Sequence, residues 1–395
     1  MPMDIQKIEN FSIVDGGPFD ALMGRIGFVP FDGKGIMKEA VAIGLLTWLP
    51  LLLLTYLQGH LFSGAIKVPF FTDIVVHVRL LVAVPLLIAA VLIIRPRLSK
   101  VVEHFLTAGI VREEDSTKFD VAVSGLIRLR DSTLAEAILL VLSYCTLYFL
   151  GIKTTISHDI SAWYAVVTEQ GWHITLAGWY YFLISAPISL FLLWRWTWRF
   201  LIWAYFLWRV SKLNLHLSPV HPDNAGGLGF LGMANTHFAP ILVAQNIVLS
   251  SMFAHKVFFE GASILQFRNT IIGIIVIYSV IPFLPLLVFS GKMLKLKRAA
   301  NFEYGALAKK YVDLFHNKWV HGKNPQGDEL LGSADIQSLA DLANSYSVIK
   351  QMRTTPFDRK NLIQMAVPVT VPFLPLALTV MPLEDIIKQI LKALM

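Results

Sequence analysis

The sequence predicts an all-α protein, a polytopic bundle of transmembrane helices with a small helical layer on the cytoplasmic side. Composition is the first observation behind this prediction: of 395 residues, 55% are hydrophobic and 15% are charged, with a mean hydropathy of +0.60. Soluble domains carry about 25% charged residues, so one aqueous core cannot account for this apolar excess. The second and third observations are long apolar segments and an uneven distribution of basic residues between them.

Seven segments are long and apolar enough to cross roughly 30 Å of hydrocarbon, so we predict about seven spans. The fifth is interrupted by polar residues, among them Gln245 and Asn246. If this segment lies in the interface instead, the number of spans falls to six. The predicted spans lie near residues 40–58, 73–94, 133–152, 178–195, 237–257, 270–290 and 362–382.

The basic residues predict the orientation. With the N-terminus in the cytoplasm, 27 of the 34 Lys and Arg residues lie on the cytoplasmic side and 6 on the other. This bias follows the positive-inside rule, so we predict a bacterial-type inner-membrane protein with a cytoplasmic N-terminus and, for seven spans, a periplasmic C-terminus. The net charge of +7 suits a lipid bilayer with anionic headgroups. Basic residues without interleaved aromatic platforms argue against nucleic-acid binding.

The predicted spans divide the chain into alternating membrane and cytoplasmic parts. The first 35 residues lack the apolar core of a cleavable signal peptide, so the first span is expected to act as its own insertion signal. Cys145 is the only cysteine, so no intramolecular disulfide can form. The parts are a cytoplasmic N-terminal segment (1–39), a first transmembrane hairpin (40–94), a cytoplasmic helical segment (95–132), a central transmembrane bundle (133–290), a second cytoplasmic helical segment (291–361), and a last transmembrane helix with a C-terminal helix (362–395).

A glycine-rich stretch follows the fourth predicted span, with His221 and Asp223 ahead of Gly226, Gly227 and Gly229. One interpretation is a tight turn in which Asp223 caps backbone N–H groups and the glycines permit close packing. A second is contact with a ligand or anion through exposed backbone N–H groups. Metal binding through the imidazole and carboxylate groups is the least favoured of the three, and we predict no metal site.

Two proline-containing pentapeptides of identical sequence interrupt the sixth and seventh predicted spans. Pro282 and Pro285 stand in the first, and Pro372 and Pro375 in the second. Each proline frees a backbone carbonyl that must find another donor in lipid. Paired broken helices are typical of transporter binding sites, although prolines are also common in membrane helices for other reasons.

Several polar side chains fall within or beside the predicted spans. His77, Arg79, Glu136, Gln245 and Asn246 are costly to place in lipid, so we expect them to face a cavity or one another. Arg79 and Glu136 could meet, either to line a path or to lock two helices together.

Two further arginines, Arg195 and Arg199, share one face of the fourth predicted span at i, i+4 spacing. They stand near its cytoplasmic end, so we expect their side chains to snorkel to the headgroups.

Three runs resemble a family of bacterial polytopic inner-membrane proteins for which no activity is established. They are His221–Gly232, Leu331–Leu342 and Met381–Glu384. The resemblance implies a membrane protein of bacterial origin and carries no functional residues.

The favoured functional interpretation is a channel or transporter for an ion or small solute. His77, Arg79, Glu136, Gln245 and Asn246 would line its path, with the glycine turn at the cytoplasmic mouth. A non-catalytic membrane scaffold or assembly factor is one alternative, and an enzyme acting on a lipid-linked substrate through His221 and Asp223 is another. No catalytic motif supports an enzyme, and no cofactor is expected. A homo-oligomer and a cytoplasmic protein partner both stay open.

Overall fold

The chain folds almost entirely into helices, as the sequence predicts. A computed structural model describes residues 12–27, 33–62, 66–152, 161–168, 171–323 and 332–378. Two short strands, β1 (Ala165–Thr168) and β2 (Gly171–Ile174), pair antiparallel, a feature that the all-α prediction did not include. The predicted C-terminal helix and the run Met381–Glu384 lie outside the described residues.

The helices form one bundle around a shared apolar core. Helix α2 packs along α3, α6 packs on α4 and α5, and α7 contacts α3 and α10. In chain order the helices are α1 (Pro18–Arg25), α2 (Gly33–Leu57), α3 (Ile74–Thr107), α4 (Ser116–Arg130), α5 (Thr133–Thr146), α6 (Leu176–Ser211), α7 (Phe230–Phe259), α8 (Ile264–Val320), α9 (Ala334–Gln351) and α10 (Arg359–Thr370).

Five of the described helices are long and apolar enough to cross a membrane, namely α2, α3, α6, α7 and α8. A sixth span is counted if Glu113–Arg130 and Thr133–Phe149, which meet at a bend of 47°, form one broken span. The prediction of about seven spans is therefore too high for the described residues. The polar fifth segment does form a candidate span, in α7. The predicted seventh is described only to residue 378, and that part does not qualify by length and hydropathy.

Two long helices change pitch just before a proline. A π-helical turn at Arg79–Ala83 precedes Pro85 in α3, and another at Tyr181–Ser185 precedes Pro187 in α6. A proline ring clashes with the carbonyl one turn earlier and offers that carbonyl no N–H. The wider π turn accommodates the ring while the helix continues.

The proline in α2 is compensated by a neighbouring helix. Pro50 lies inside α2 and cannot donate to the carbonyl of Leu46 four residues earlier. The hydroxyl of Tyr180 on α6 donates to this carbonyl at 2.8 Å. The freed acceptor is therefore satisfied within the bundle.

The first proline pentapeptide lies in a 3₁₀ segment of α8, Ile281–Phe289. In such a segment the carbonyl of residue i accepts from the N–H of residue i+3. For Pro282 that residue is Pro285, which has no N–H. The amide nitrogen of Asn235 on α7 donates to the Pro282 carbonyl instead, at 2.5 Å.

The second pentapeptide follows α10 and is compensated in the same way. The carbonyls of Val369 and Pro372 stand three residues before Pro372 and Pro375, so neither has an i+3 donor. The amide nitrogen of Asn246 donates to Val369 at 2.9 Å, and the hydroxyl of Ser250 donates to Pro372 at 2.6 Å. One helix, α7, therefore supplies the donors for both breaks.

The far end of α8 forms a hairpin with α9. Ser333 caps α9 by accepting from the N–H of Asp335. The Asp335 carboxylate accepts from Lys318 at 2.9 Å and from the Trp319 indole at 3.0 Å. The hydrogen bonds from these two side chains lower the pKa of Asp335. This carboxylate therefore ties the two helices together.

Candidate functional site: a buried charge cluster

Two arginines of α6 point into the bundle rather than towards its surface. The side chains of Arg195 and Arg199 are only 8% and 5% exposed. Because they are one helical turn apart, both face the N-terminal segment. The snorkelling expected from the sequence is wrong, since these guanidinium groups are enclosed by carboxylates and aromatic rings.

The carboxylates come from two distant parts of the chain. Asp20 on α1 places Oδ1 2.7 Å from Nη2 of Arg195 and Oδ2 3.4 Å from Nη2 of Arg199. Glu136 on α5 places Oε1 3.3 Å from Nε of Arg195. Arg195 also donates to the Gly16 carbonyl at 3.1 Å. One guanidinium thus joins α1, α5 and α6.

The start of α1 is shaped by the same carboxylates. The Phe19 N–H, in the first turn of α1, donates to Oε2 of Glu136 at 2.7 Å, and the Gly16 N–H donates to Asp20 at 2.8 Å. Gly16 and Gly17 have φ values of +121° and +96°. A Cβ at Gly16 would lie 2.6 Å from the Arg130 guanidinium, so only glycine fits this backbone.

A second group of charges lies beside these contacts. Asp15 is 7% exposed, and its Oδ2 lies 2.5 Å from Nε of Arg95 without a well-aligned hydrogen bond. Burial raises the pKa of the Asp15 carboxyl, and the positive charge of Arg95 opposes that rise. Glu39 on α2 is also 7% exposed and makes no ion pair or hydrogen bond with the described residues.

A small, partly open cavity of about 30 Å³ is lined by five of these charged residues, Asp15, Asp20, Glu39, Arg195 and Arg199. That volume holds one or two waters, and the walls carry the polar groups that such waters need. The Arg199 guanidinium lies 5.0 Å from the Trp196 ring centroid, but among the described residues its only hydrogen bond is the 3.4 Å contact with Asp20, so it has spare donors. We call the following residues the charge cluster: Asp15, Asp20, Glu39, Arg95, Glu136, Arg195 and Arg199.

An apolar groove lies on the other side of Phe19. It has a volume of about 500 Å³, is open along one side, and runs between α1, α5 and α6. Phe19 lines both the groove and the cavity, and the Arg195 guanidinium lies 4.8 Å from its ring centroid. The groove is lined by Pro18, Phe19, Leu22, Thr133, Glu136, Ala137, Leu140, Tyr144, Leu183, Ile184, Pro187, Ile188 and Phe191.

Of the five predicted path residues, only Glu136 belongs to the charge cluster. Arg79 donates to the Tyr181 hydroxyl at 2.8 Å and does not pair with Glu136. The His77 ring accepts from the Trp48 indole at 2.9 Å. The remaining two lie on α7, where Gln245 is half-buried and Asn246 is fully buried at the second proline break.

The glycine-rich stretch forms a turn around the carboxylate of Asp223. Its two oxygens accept from the N–H groups of Ala225, Gly227 and Gly229 at 2.8, 3.2 and 2.8 Å. Burial favours a raised pKa for Asp223, but these three hydrogen bonds outweigh it and the pKa is lowered. His221 adds a contact at 2.8 Å. These backbone donors are therefore already occupied within the chain.

Two glycines of this stretch allow other parts of the chain to pack closely against it. Gly226 has a φ of +69°, and a Cβ there would meet Met352 at 3.1 Å. At Gly232 a Cβ would lie 2.4 Å from the side chain of Asn361. In the part of the chain that the structure describes, no three His, Cys, Asp or Glu side chains are grouped to hold a metal ion.

Sequence reasoning missed most of the charge cluster. Asp15 and Asp20 stand in a segment without helical periodicity, and Glu39 and Arg95 stand at the ends of predicted spans. The sequence signal that pointed to this cluster was the i, i+4 spacing of Arg195 and Arg199 within an apolar helix. Comparison with known proteins adds no assignment: no family model, no curated protein and no solved structure matches this chain.

Proposed function

We propose that this protein is an integral membrane transporter or channel for a small ion or solute, and that the charge cluster is its binding site. The five or six apolar helices are compatible with an integral membrane protein. Buried charges inside such a bundle mark ion or solute pathways more often than structural contacts. The single observation that carries the proposal is the incomplete pairing around the cavity.

A purely structural ion-pair network would satisfy all its members. Burying an ion costs several kcal/mol, and imperfect pairing leaves much of that cost uncompensated. Among the described residues, Arg199 makes a single hydrogen bond and Glu39 has no cation within ion-pair distance, while both line the same cavity. Four carboxylates also meet only three guanidinium groups in this cluster. This excess of carboxylates over guanidinium groups suits a site that binds and releases a charged ligand.

The orientation stays part of the proposal. The distribution of basic residues supports an inner-membrane location with the N-terminus in the cytoplasm. In that orientation the charge cluster lies at the cytoplasmic ends of α2, α3 and α6. The proposed membership of the bacterial inner-membrane family rests on the three sequence runs alone.

Flux through reconstituted protein tests the proposal. Purified protein in liposomes should pass Na⁺, K⁺, Cl⁻ or a small carboxylate under an imposed gradient. Arg199→Gln should reduce that flux because it removes a charge that lines the cavity. Glu136→Gln should reduce it because it removes a carboxylate paired with Arg195, which also lines the cavity. Arg209→Gln is the matched control, since Arg209 lies on the same helix and, among the described residues, its side chain hydrogen-bonds only to Tyr205. Folded protein that passes none of these solutes would remove the proposal.

A scaffold function is a second candidate, supported by one surface of α8. Phe302, Leu307 and Leu314 are 82%, 51% and 59% exposed beyond the apolar part of this helix. Exposed apolar side chains of this size are typical of interaction surfaces. A photo-cross-linker at position 302 should then give one stoichiometric adduct in intact membranes, whereas its absence would leave only the transport proposal.

A further inference from the structure

We propose that the charge cluster and the apolar groove together form a binding site for a long-chain carboxylate, which the Asp20 side chain now occupies in part. The inference rests on the proposed function only in taking the charge cluster as a binding site. It adds the chemical class of the ligand and the element that must move to admit it.

The carboxylate head group of the ligand is inferred from the group that Arg195 and Arg199 already contact. They contact the two oxygens of the Asp20 carboxylate, Arg195 at 2.7 Å and Arg199 at 3.4 Å. Arginine is a favoured partner of carboxylates, and among the described residues Arg199 makes one hydrogen bond only, at 3.4 Å. A ligand carboxylate that replaces Asp20 leaves the charge of the cluster unchanged. The exchange therefore leaves neither arginine without a buried counter-ion.

The tail follows from the groove. Its volume of about 500 Å³ lies in the usual range for ligand sites, and its walls are almost entirely apolar. Leu140 and Leu183 line it from two apolar helices, so an amphiphile can enter from the side. Phe19 lines both this groove and the cavity beside Arg195. Charge at one end and an apolar channel at the other match a single-chain carboxylate.

The movable element is α1. None of its eight residues is buried, whereas Ile13 and Val14 just before it are each 1% exposed. Gly16 and Gly17 join the two parts and both have positive φ. Rotation at these glycines would withdraw Phe19 and Asp20 together while Ile13 and Val14 stay anchored. That motion opens the groove to the arginines.

Equilibrium binding of tritiated oleate to the full-length protein in nanodiscs tests the inference. Asp20→Asn removes the competing carboxylate and should tighten oleate binding about tenfold. In the wild type, molecules whose arginines are paired with Asp20 cannot bind oleate, and the variant lacks this competing state. Arg199→Gln should abolish the binding, and Arg209→Gln should leave it unchanged. Oleyl alcohol, which lacks the charge, should not displace oleate from the wild type or from Asp20→Asn.

Two further measurements keep the inference open to refutation if an arginine variant fails to fold. Leu140→Trp fills the groove and should weaken oleate binding about tenfold, while Leu201→Trp on the outer face of α6 should not. Unchanged oleate affinity in Asp20→Asn, or stronger binding of lysophosphatidate than of oleate, would overturn it. The assay needs no gradient, so oleate binding without flux would remove only the proposed transport. Flux of another solute with no oleate binding would remove only this inference.

Discussion

Oδ1 of Asp20 lies 2.7 Å from Nη2 of Arg195, although 175 residues separate the two in the chain. This contact attaches a short, exposed N-terminal helix to the centre of the bundle. It also means that a charge outside the predicted spans neutralises a deeply buried cation.

Arg195→Met should destabilise the protein strongly. It leaves Glu136 buried without its cation and Asp20 with only the 3.4 Å contact to Arg199, and removal of one partner of a buried ion pair costs about 3–5 kcal/mol. The free energy of unfolding of the detergent-purified protein is the measurement. Arg209→Met is the control and should change stability by less than about 0.5 kcal/mol, because Arg209 is partly exposed. A loss as small as that of the control would mean that the cluster is hydrated and weakly coupled to folding.

Asn235→Leu should cost more stability than Asn246→Leu. Asn235 donates to the Pro282 carbonyl and accepts from the Trp203 indole. Within the described part of the chain, Asn246 donates only to the Val369 carbonyl, and its own oxygen is unpaired. Each orphaned buried group costs about 1–3 kcal/mol. Unfolding measurements on both variants, with Gln245→Leu as a control, check the order. Equal losses would contradict the assigned hydrogen bonds.

Gly232→Ala and Gly273→Ala should have opposite effects. A Cβ at Gly232 meets the Asn361 side chain at 2.4 Å and the Pro356 carbonyl at 2.9 Å, whereas nothing lies within 4 Å at Gly273. Overpacking typically costs about 1–3 kcal/mol. Alanine in an open helical position gains about 0.5–1 kcal/mol. Thermal unfolding of the two variants measures both signs, and stabilisation by Gly232→Ala would refute the close approach of α7 to α10.

The Asp223 turn should weaken in acid. Because the folded-state pKa of Asp223 is lowered, its contribution is complete above the unfolded value of about 3.9 and is lost as pH falls through the lower folded value. Asp223→Asn should therefore be less stable than wild type at pH 7, and the difference should shrink below about pH 4. Thermal unfolding between pH 7 and pH 3 measures it. A difference that does not depend on pH would mean that the carboxylate charge is not what holds the turn.

The orientation can be checked with single cysteines. In a background with Cys145→Ser, Lys323→Cys and Glu260→Cys lie beyond opposite ends of the apolar stretches of α7 and α8, and both native side chains are exposed. An impermeant thiol reagent should label Glu260→Cys in intact cells and Lys323→Cys only after permeabilisation. The reverse pattern would place the N-terminus outside.

The sequence predicted those features that depend on the residues of a single segment. Apolar length predicted α2, α3, α6 and α8, and the repeated prolines predicted the two breaks. It was uninformative about whether Arg195 faces lipid headgroups or the bundle interior, because helical spacing is the same in both cases. The outcome depends on Asp20 and Glu136, which come from segments far away in the chain.

The donors on α7 also bear on the order of membrane insertion. Asn235, Asn246 and Ser250 are all synthesised before the proline segments whose carbonyls they satisfy. When each proline-containing segment leaves the translocon, α7 is already in the bilayer. Its donors can therefore bind the freed carbonyls at once, and these carbonyls are not left unsatisfied in hydrocarbon. Moving α7 behind these segments by circular permutation would reverse that sequence of events, and the rearranged chain should be cleared by quality-control proteases during biogenesis.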